Sequence, residues 1–474
     1  MHARPLRRAL ALPRSAHAAP RGTLAALGVA LVCAVAAPAG FAAPASDISF
    51  ETLANGMRVV LWPDHSIPNL AMFTFYRVGS RNENVGTTGL SHFFEHMMFN
   101  GSKNFGPGEF DRTMEAAGGA NNAYTAQDIT VYQNWFPRTA LETIFQLEAD
   151  RIASLAIDSA MVESERGVVT SERRRSVEDH NMNLLDEQNW AAAFIAHPYQ
   201  WPVIGWMVDI ENWKIADLRA YFRTYYAPNN ATFVLVGDFD RDEVRRLLKQ
   251  YLEPIPGGPA PPSVTTAEPP QKGERRGELR KPAELAAFIA GWHVPASSHA
   301  DFDALRVLEA LLFQGESSRL VRRLVERDQV ALSVGGGMQY ALDPTLFQVN
   351  VQVKEGIETA RVEALLYDEL ARLQKEAPGE RELQKAKNQL AADVYRDLQT
   401  ISGKAQLLGL SDVYFGDPKG LLTIADRYAR VTAADLQRVA RTYFIASNRT
   451  VSVLVPETED ESKAGGGSPS AGGL

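Results

Sequence analysis

Apolar and polar positions follow two rhythms along this chain. Residues 57–62 (MRVVLW) and 70–77 (LAMFTFYR) are short runs rich in β-branched and aromatic side chains, and 285–292 (LAAFIAGW) opens a second such region. Such runs predict strands. The longer stretches 137–155 and 161–176 carry helical spacing instead. Strands and helices are mixed without steady alternation, which points to an α+β fold. Residues 88–101 (TGLSHFFEHMMFNG) form one more helical segment. Leu90, Phe93, Phe94, Met97 and Met98 make a single apolar stripe on it, with Thr88 as the expected N-cap and Asn100-Gly101 as the expected stop.

The pattern also repeats. Residues 216–236 (ADLRAYFRTYYAPNNATFVLV) and 434–454 (ADLQRVARTYFIASNRTVSVL) align without a gap, 218 positions apart, and both read as helix, turn and strand. One long-period echo implies two copies of one domain rather than a solenoid of short units. The expectation is two homologous domains, each a β-sheet backed by helices, at 46–255 and 276–456. Residues 256–275 are rich in Pro and Gly and read as a linker, and 457–474 as a disordered tail.

Composition narrows the chemistry. The 474 residues carry a net charge of −8, and 45% are hydrophobic. Residues 1–43 hold five arginines and no acid, so the remainder has 44 basic against 57 acidic residues. A nucleic-acid partner, which wants a basic face, is not expected. The arginines precede an apolar run (23–37) and small-residue sites, the organisation of a signal peptide over 1–45; periplasmic or other export is expected, with a mitochondrial presequence as the alternative. The single cysteine, Cys33, lies in that run, so the processed chain has no thiol to offer as metal ligand or nucleophile.

Opposite the apolar stripe of 88–101 stand His92, Glu95 and His96. Histidines four apart project from adjacent turns of one helix face, the spacing at which two imidazoles reach one zinc ion. Glu95 is placed to take a proton from water at such an ion. A solvated polar face is the alternative, but the chain has only nine histidines. A third ligand must be His, Asp or Glu. Residues 161–175 (MVESERGVVTSERRR) predict a helix with Glu165 and Glu172 two turns apart on one face and Val162, Val168 and Val169 along another. Periodicity alone would make this a charged, solvated helix.

The run His92-Phe93-Phe94-Glu95-His96 is the inverted zincin motif, and the chain resembles the pitrilysin-type (inverzincin) zinc metallopeptidases, most of all the short branch that includes the mitochondrial processing peptidase β-subunit. The resemblance extends through GGANNAYTAQDITVY (118–132), HPYQWPVIG (197–205), YYAPNNATFVLVGDFD (225–240) and GESSRLVRRLVER (315–327). It implies a zinc endopeptidase. In the family the third ligand is a Glu some 76 residues beyond the second His, a spacing Glu172 meets, and an acid seven residues earlier supports the site, where Glu165 stands. His92, His96 and Glu172 would then hold one Zn2+, Glu95 would be the general base, and Glu165 would orient ligands or water. Asn122 and Ala123 match the pair that binds peptide along an edge strand, although the residues alone fit a turn before a strand equally well.

One departure matters. Self-sufficient relatives carry an Arg and, seven residues later, a Tyr in the second half. The alignment puts Val325 and Leu332 there, and neither can donate to an oxyanion. The resemblance therefore implies a catalytic subunit acting on extended or unfolded peptides with a homologous partner, or a homodimer, completing the cleft. The alternative is a non-catalytic, structural or peptide-holding subunit of the same fold.

Overall fold

Each half of the chain ends with a strand that returns to lie parallel to an early one. The first half runs β1 (Ser49–Thr52), β2 (Arg58–Pro63), β3 (Asn69–Tyr76), α1 (Leu90–Met97), β4 (Ala120–Thr125), β5 (Thr130–Pro137), α2 (Leu141–Ser154), α3 (Ser159–Arg173), α4 (Asn181–Ala193), α5 (Ile215–Tyr225) and β6 (Ala231–Gly237). The second runs β7 (Arg275–Pro282), β8 (Ala287–Val294), α6 (Phe302–Phe313), β9 (Ala331–Met338), β10 (Thr345–Val353), α7 (Thr359–Lys375), α8 (Glu380–Asp397), α9 (Ile401–Phe415), α10 (Ala433–Tyr443) and β11 (Arg449–Glu457). Shorter helical segments fill the gaps. This computed structural model describes residues 47–457; the expected export segment lies outside them, as does the tail beyond Glu457.

The sheets are ordered β1-β2-β6-β3-β5-β4 and β7-β11-β8-β10-β9. In the first, β6 enters between β2, which it meets in parallel, and β3, which it meets antiparallel; in the second, β11 enters likewise between β7 and β8. Strand β6 (ATFVLVG) is buried at every residue, as a central strand covered on both faces must be. The echo seen in the sequence has a structural cause. Asn230 Nδ2 donates to the Tyr225 carbonyl at 2.8 Å and to that of Arg77 at 3.2 Å; Asn448 Nδ2 donates to those of Tyr443 and His293, both at 2.9 Å. One amide thus ties each helix end to the neighbouring strand in both halves.

Three boundaries differ from the sequence expectation. Strand β7 was not foreseen, because RRGELRKP is an edge strand with every second residue exposed, one residue buried and little apolar signal. The helix expected from 137 begins at Leu141, since Pro137 ends β5 and 138–140 make a 3-10 turn. The linker is tied down: Glu268 accepts the backbone N–H groups of Ile195, Ala196 and His197 at 2.9–3.1 Å.

Packing joins the halves by exchange of helices. Helix α9 of the second half lies on the first sheet, where Gly409 leaves room for Phe75; a Cβ there would sit 2.1 Å from its ring. Helix α4 of the first half lies on the second sheet, its Leu185 buried with Leu279, Ala287, Ile289 and Leu454. Asn189 Nδ2 reaches the carbonyls of Ile289 and Thr450 at 3.3 and 3.4 Å. At the α9 contact, the buried Asp412 carboxylate accepts from Arg58 Nε at 3.0 Å, Arg77 at 2.6 Å and Thr232 Oγ1 at 2.6 Å. Removing it leaves the half-buried Arg77 without its carboxylate, with only the Thr232 hydroxyl at 2.9 Å to accept from it. Asp412→Ala should therefore lower unfolding free energy by about 3 kcal/mol, read as a shift of the urea midpoint with an unchanged slope.

Candidate metal centre

Helix α1 is held like a lever with one face in the core. Leu90, Phe93, Phe94, Met97 and Met98 are each at most 1% exposed. Phe93 packs on Trp213 (centroids 4.9 Å apart), and Phe94 on Tyr221, Phe222 and Tyr226. The N-cap is Gly89, with φ +86°, and not Thr88. Thr88 Oγ1 instead donates to Asp209 at 2.7 Å and accepts the Trp206 N–H at 2.9 Å. The free amides of the first turn go to Glu83, whose two oxygens accept the N–H groups of Gly89 and Ser91 at 2.7 Å each. Gly89 meets Gly205 back to back: a Cβ on Gly205 would lie 2.5 Å from the Thr88 carbonyl. That contact gives the segment 197–205 a role that its sequence did not reveal.

The other face of α1 carries His92, Glu95 and His96. Helix α3 crosses it and brings in both expected acids. His96 Nδ1 meets Glu165 Oε1 at 2.8 Å, and His96 Nε2 lies 3.3 Å from Glu172 Oε2. His92 Nε2 is 3.7 Å from the same oxygen. Ligand atoms of His92, His96 and Glu172 all fall within 4.8 Å of one another. Zinc bonds of about 2.0–2.1 Å in a tetrahedron separate ligand atoms by roughly 3.3 Å, so the spacing fits that ion with little rearrangement. Asn100 Nδ2 donates to the other Glu165 oxygen at 2.5 Å. Asn100 thus belongs to the site as well as to the helix end. Of the three valines expected to share a face of α3, Val162 and Val169 are buried but Val168 is 47% exposed; one residue turns a helix by about 100°.

Electrostatics separate the two histidines. Burial and the neighbouring His96 pull His92 down to about 4, leaving it neutral with a lone pair to give. Burial also pulls His96 down, but Glu165 and Glu172 outweigh it and raise it to about 10. The Glu165 contact occupies His96 Nδ1 and turns Nε2 toward Glu172, the arrangement that metal-ligating histidines favour. Glu172 is held below the usual carboxylate range, first by its hydrogen bond with His96. For Glu165, burial alone would raise it, and the bonds from His96 and Asn100 bring it below that range. Burial raises Glu95, against a 2.7 Å bond from Thr125 Oγ1.

Thr125 ends β4, and β4 is the edge of its sheet. Asn122 and Ala123 lie within this strand, opposite Gln133 and Tyr132, so they form no turn; Asn122 is exposed on the strand. A cleft of about 420 Å³ opens beyond Thr125 and is walled by His92, Glu172, Val177, Trp190, Trp201 and Gln339. Val325 packs against the second-half core and Leu332 is 50% exposed on β9, so neither brings a donor. Glu83, Asn100, Thr125, Asp209 and Gly205 were missed from sequence, since each acts through partners brought near by folding.

Residues 59–205 match the family described as insulinase (peptidase family M16), and 212–390 match the peptidase M16 inactive domain. The zinc protease PqqE of Helicobacter pylori is 32% identical over 412 residues, spanning 85% of this chain and 92% of that protein. The chain belongs to peptidase family M16. A protease crystal structure from Helicobacter pylori has the same fold, with TM-score 0.83, 31% identity, and coverage of 86% of this chain and 99% of that one. The periplasmic protease PqqL from Escherichia coli shares the fold at 19% identity and TM-score 0.70; the match spans 90% of this chain but 49% of that one. Its M16 relatives are named as zinc proteases, in keeping with a metallopeptidase whose candidate ligands are His92, His96 and Glu172.

Glu83, beneath α1, gives a test of the frame that holds these ligands. Burial raises it from 4.5 to about 8, against the pull of the Ser91 and Gly89 amides. The folded chain then holds that proton more tightly than the unfolded one. The stability it contributes is full below about pH 4.5 and lost as pH rises through about 8. Urea unfolding across this window should show wild type losing ground to Glu83→Gln as pH rises.

Proposed function

We propose that this chain is a zinc endopeptidase that cleaves extended or unfolded peptides. The observation that carries the reading is the convergence of His92, His96 and Glu172 on one point with Glu95 alongside. When bound, zinc polarises the scissile carbonyl and acidifies the attacking water. Glu95 takes the water's proton on its carboxylate and passes it to the leaving amine. Thr125 fixes the orientation of that carboxylate, and Glu165 fixes His96. The peptide adds to the open edge of β4 beside Asn122 and Ala123, where main-chain pairing gives affinity with little sequence preference. It continues past Thr125 into the cleft.

The chain would work with a homologous partner, or as a homodimer, because Val325 and Leu332 cannot supply the Arg/Tyr pair. Export is also part of the proposal; it rests on the sequence of residues 1–45 and on the periplasmic setting named for PqqL.

A quenched fluorescent peptide assay decides the matter, run on the chain alone and with a homologous subunit. Glu95→Gln should cut kcat roughly 10²–10⁴-fold with zinc still bound, and chelation should abolish turnover. If activity survives both treatments, this mechanism is wrong; if zinc-loaded chain never turns over peptide but binds it, the peptide-holding role replaces it. Full turnover by a monomer would remove the partner. Glu165→Gln should weaken zinc about 10–100-fold in a chelator competition titration.

A further inference from the structure

The second half, whose early part matches the inactive domain, reaches the candidate cleft through the short segment between β9 and β10. Strand β4 ends at Thr125, and residues 126–128 turn back toward β5. This turn is gripped from several sides. A Cβ on Gly79 would lie 2.2 Å from the Ala126 carbonyl, and the Arg81 N–H donates to the Gln127 carbonyl at 2.8 Å. Asp128, 1% exposed, accepts the Tyr199 hydroxyl at 2.8 Å and the Leu342 N–H at 2.9 Å. Leu342 belongs to the segment between β9 and β10, so this bond crosses from the second half. Its neighbour Asp343 receives Arg81 Nε at 2.5 Å and meets His197 Nε2 at 3.0 Å. Arg81 Nε also lies 3.7 Å from Asp128. Gln339, from the same segment, walls the cleft together with Ala126 and Gln127.

We propose that the loop 339–343 positions the active site, Asp343 and the Leu342 amide locking the turn 126–128 and with it Thr125 against Glu95. Asp343 and Asp128 are positioning residues; neither touches the reacting atoms. Fixing the turn also fixes the end of β4, the edge along which the peptide lies. The proposal rests on the peptidase reading and explains why the second half is needed by a site whose ligands all come from the first.

The experiment uses the zinc-loaded full chain, with its partner if turnover requires one. Asp343→Ala should lower kcat about tenfold with bound zinc unchanged, because α1 and α3 keep their own supports. Thr125→Ala should give a similar loss, and the double variant should lose no more than the worse single, the mark of residues acting in one chain of contacts. Additive losses, or an undiminished kcat, overturn the proposal. Asp343→Asn guards against misfolding: hydrogen exchange should quicken in 120–128 and stay unchanged in α1. Exchange that does not quicken in 120–128, or that quickens in α1 as much, overturns it as well. Failure of the peptidase reading shows separately, as a wild type without chelator-sensitive turnover whose exchange response still reports on the loop.

Discussion

The first sheet turns an apolar face toward the second half, with Val60, Trp62, Ala71, Phe73, Phe75, Val234 and Val236 all buried there. Helix α9 covers it, and α9 comes from the second half. The second sheet stands in the same relation to α4. Each sheet therefore completes its burial only when the other half is folded, and the Asp412 carboxylate, held by two arginines at one crossing, is excluded from water by that same packing. Unpaired buried charges are costly, so these crossings also define the register in which the halves meet. The position of the cleft follows from that register, since its walls include Trp190 on α4 and Gln339 after β9.

Within this frame the candidate centre solves a charge problem. Glu95, Glu165 and Glu172 crowd around two histidines, one of which burial keeps neutral. The proton on His96 offsets part of that negative charge. A divalent cation would offset more of it, releasing the proton as it binds, which is the usual coupling at sites of neutral imidazole and carboxylate. Glu95 is set apart by its surroundings. It has one hydroxyl partner and a pKa raised by burial, whereas Glu165 and Glu172 are drawn down by His96. One carboxylate is thus biased toward holding a proton and two toward holding charge.

Much of this was legible in the sequence. The apolar stripe of α1 and the opposed His92, Glu95 and His96 follow from helical spacing, and the duplication from two aligned segments. The pairing of Glu172 with the histidines was not, because no local rule joins residues 76 apart; resemblance to a family suggested it, and the crossing of α3 over α1 displays it. The N-cap was misread because Gly89 needs a left-handed backbone to approach Gly205, a constraint set by residues a hundred positions away. Strand β7 and the anchoring of the linker by Glu268 escaped for the same reason. Their stability lies in backbone pairing and tertiary acceptors, which leave little trace in hydrophobic pattern.

The duplication also explains the division of labour. Helix α6 occupies in the second half the place that α1 holds in the first: α1 lies between β3 and the edge strand β4 in the chain, and α6 between β8 and the edge strand β9. Its sequence, FDALRVLEALLF, is buried at Phe302, Leu305, Leu308 and Leu312, and its polar face carries Arg306 and Glu309 paired at 2.7 Å. Where α1 keeps an open polar face with histidines, α6 closes the same face with an ion pair and a strand. Two copies of one unit have come to differ at the one helix whose polar side matters. The copy without ligands is free to spend its loops on the other, and 339–343, which leaves its edge strand β9, lies where such a loop can reach the end of β4.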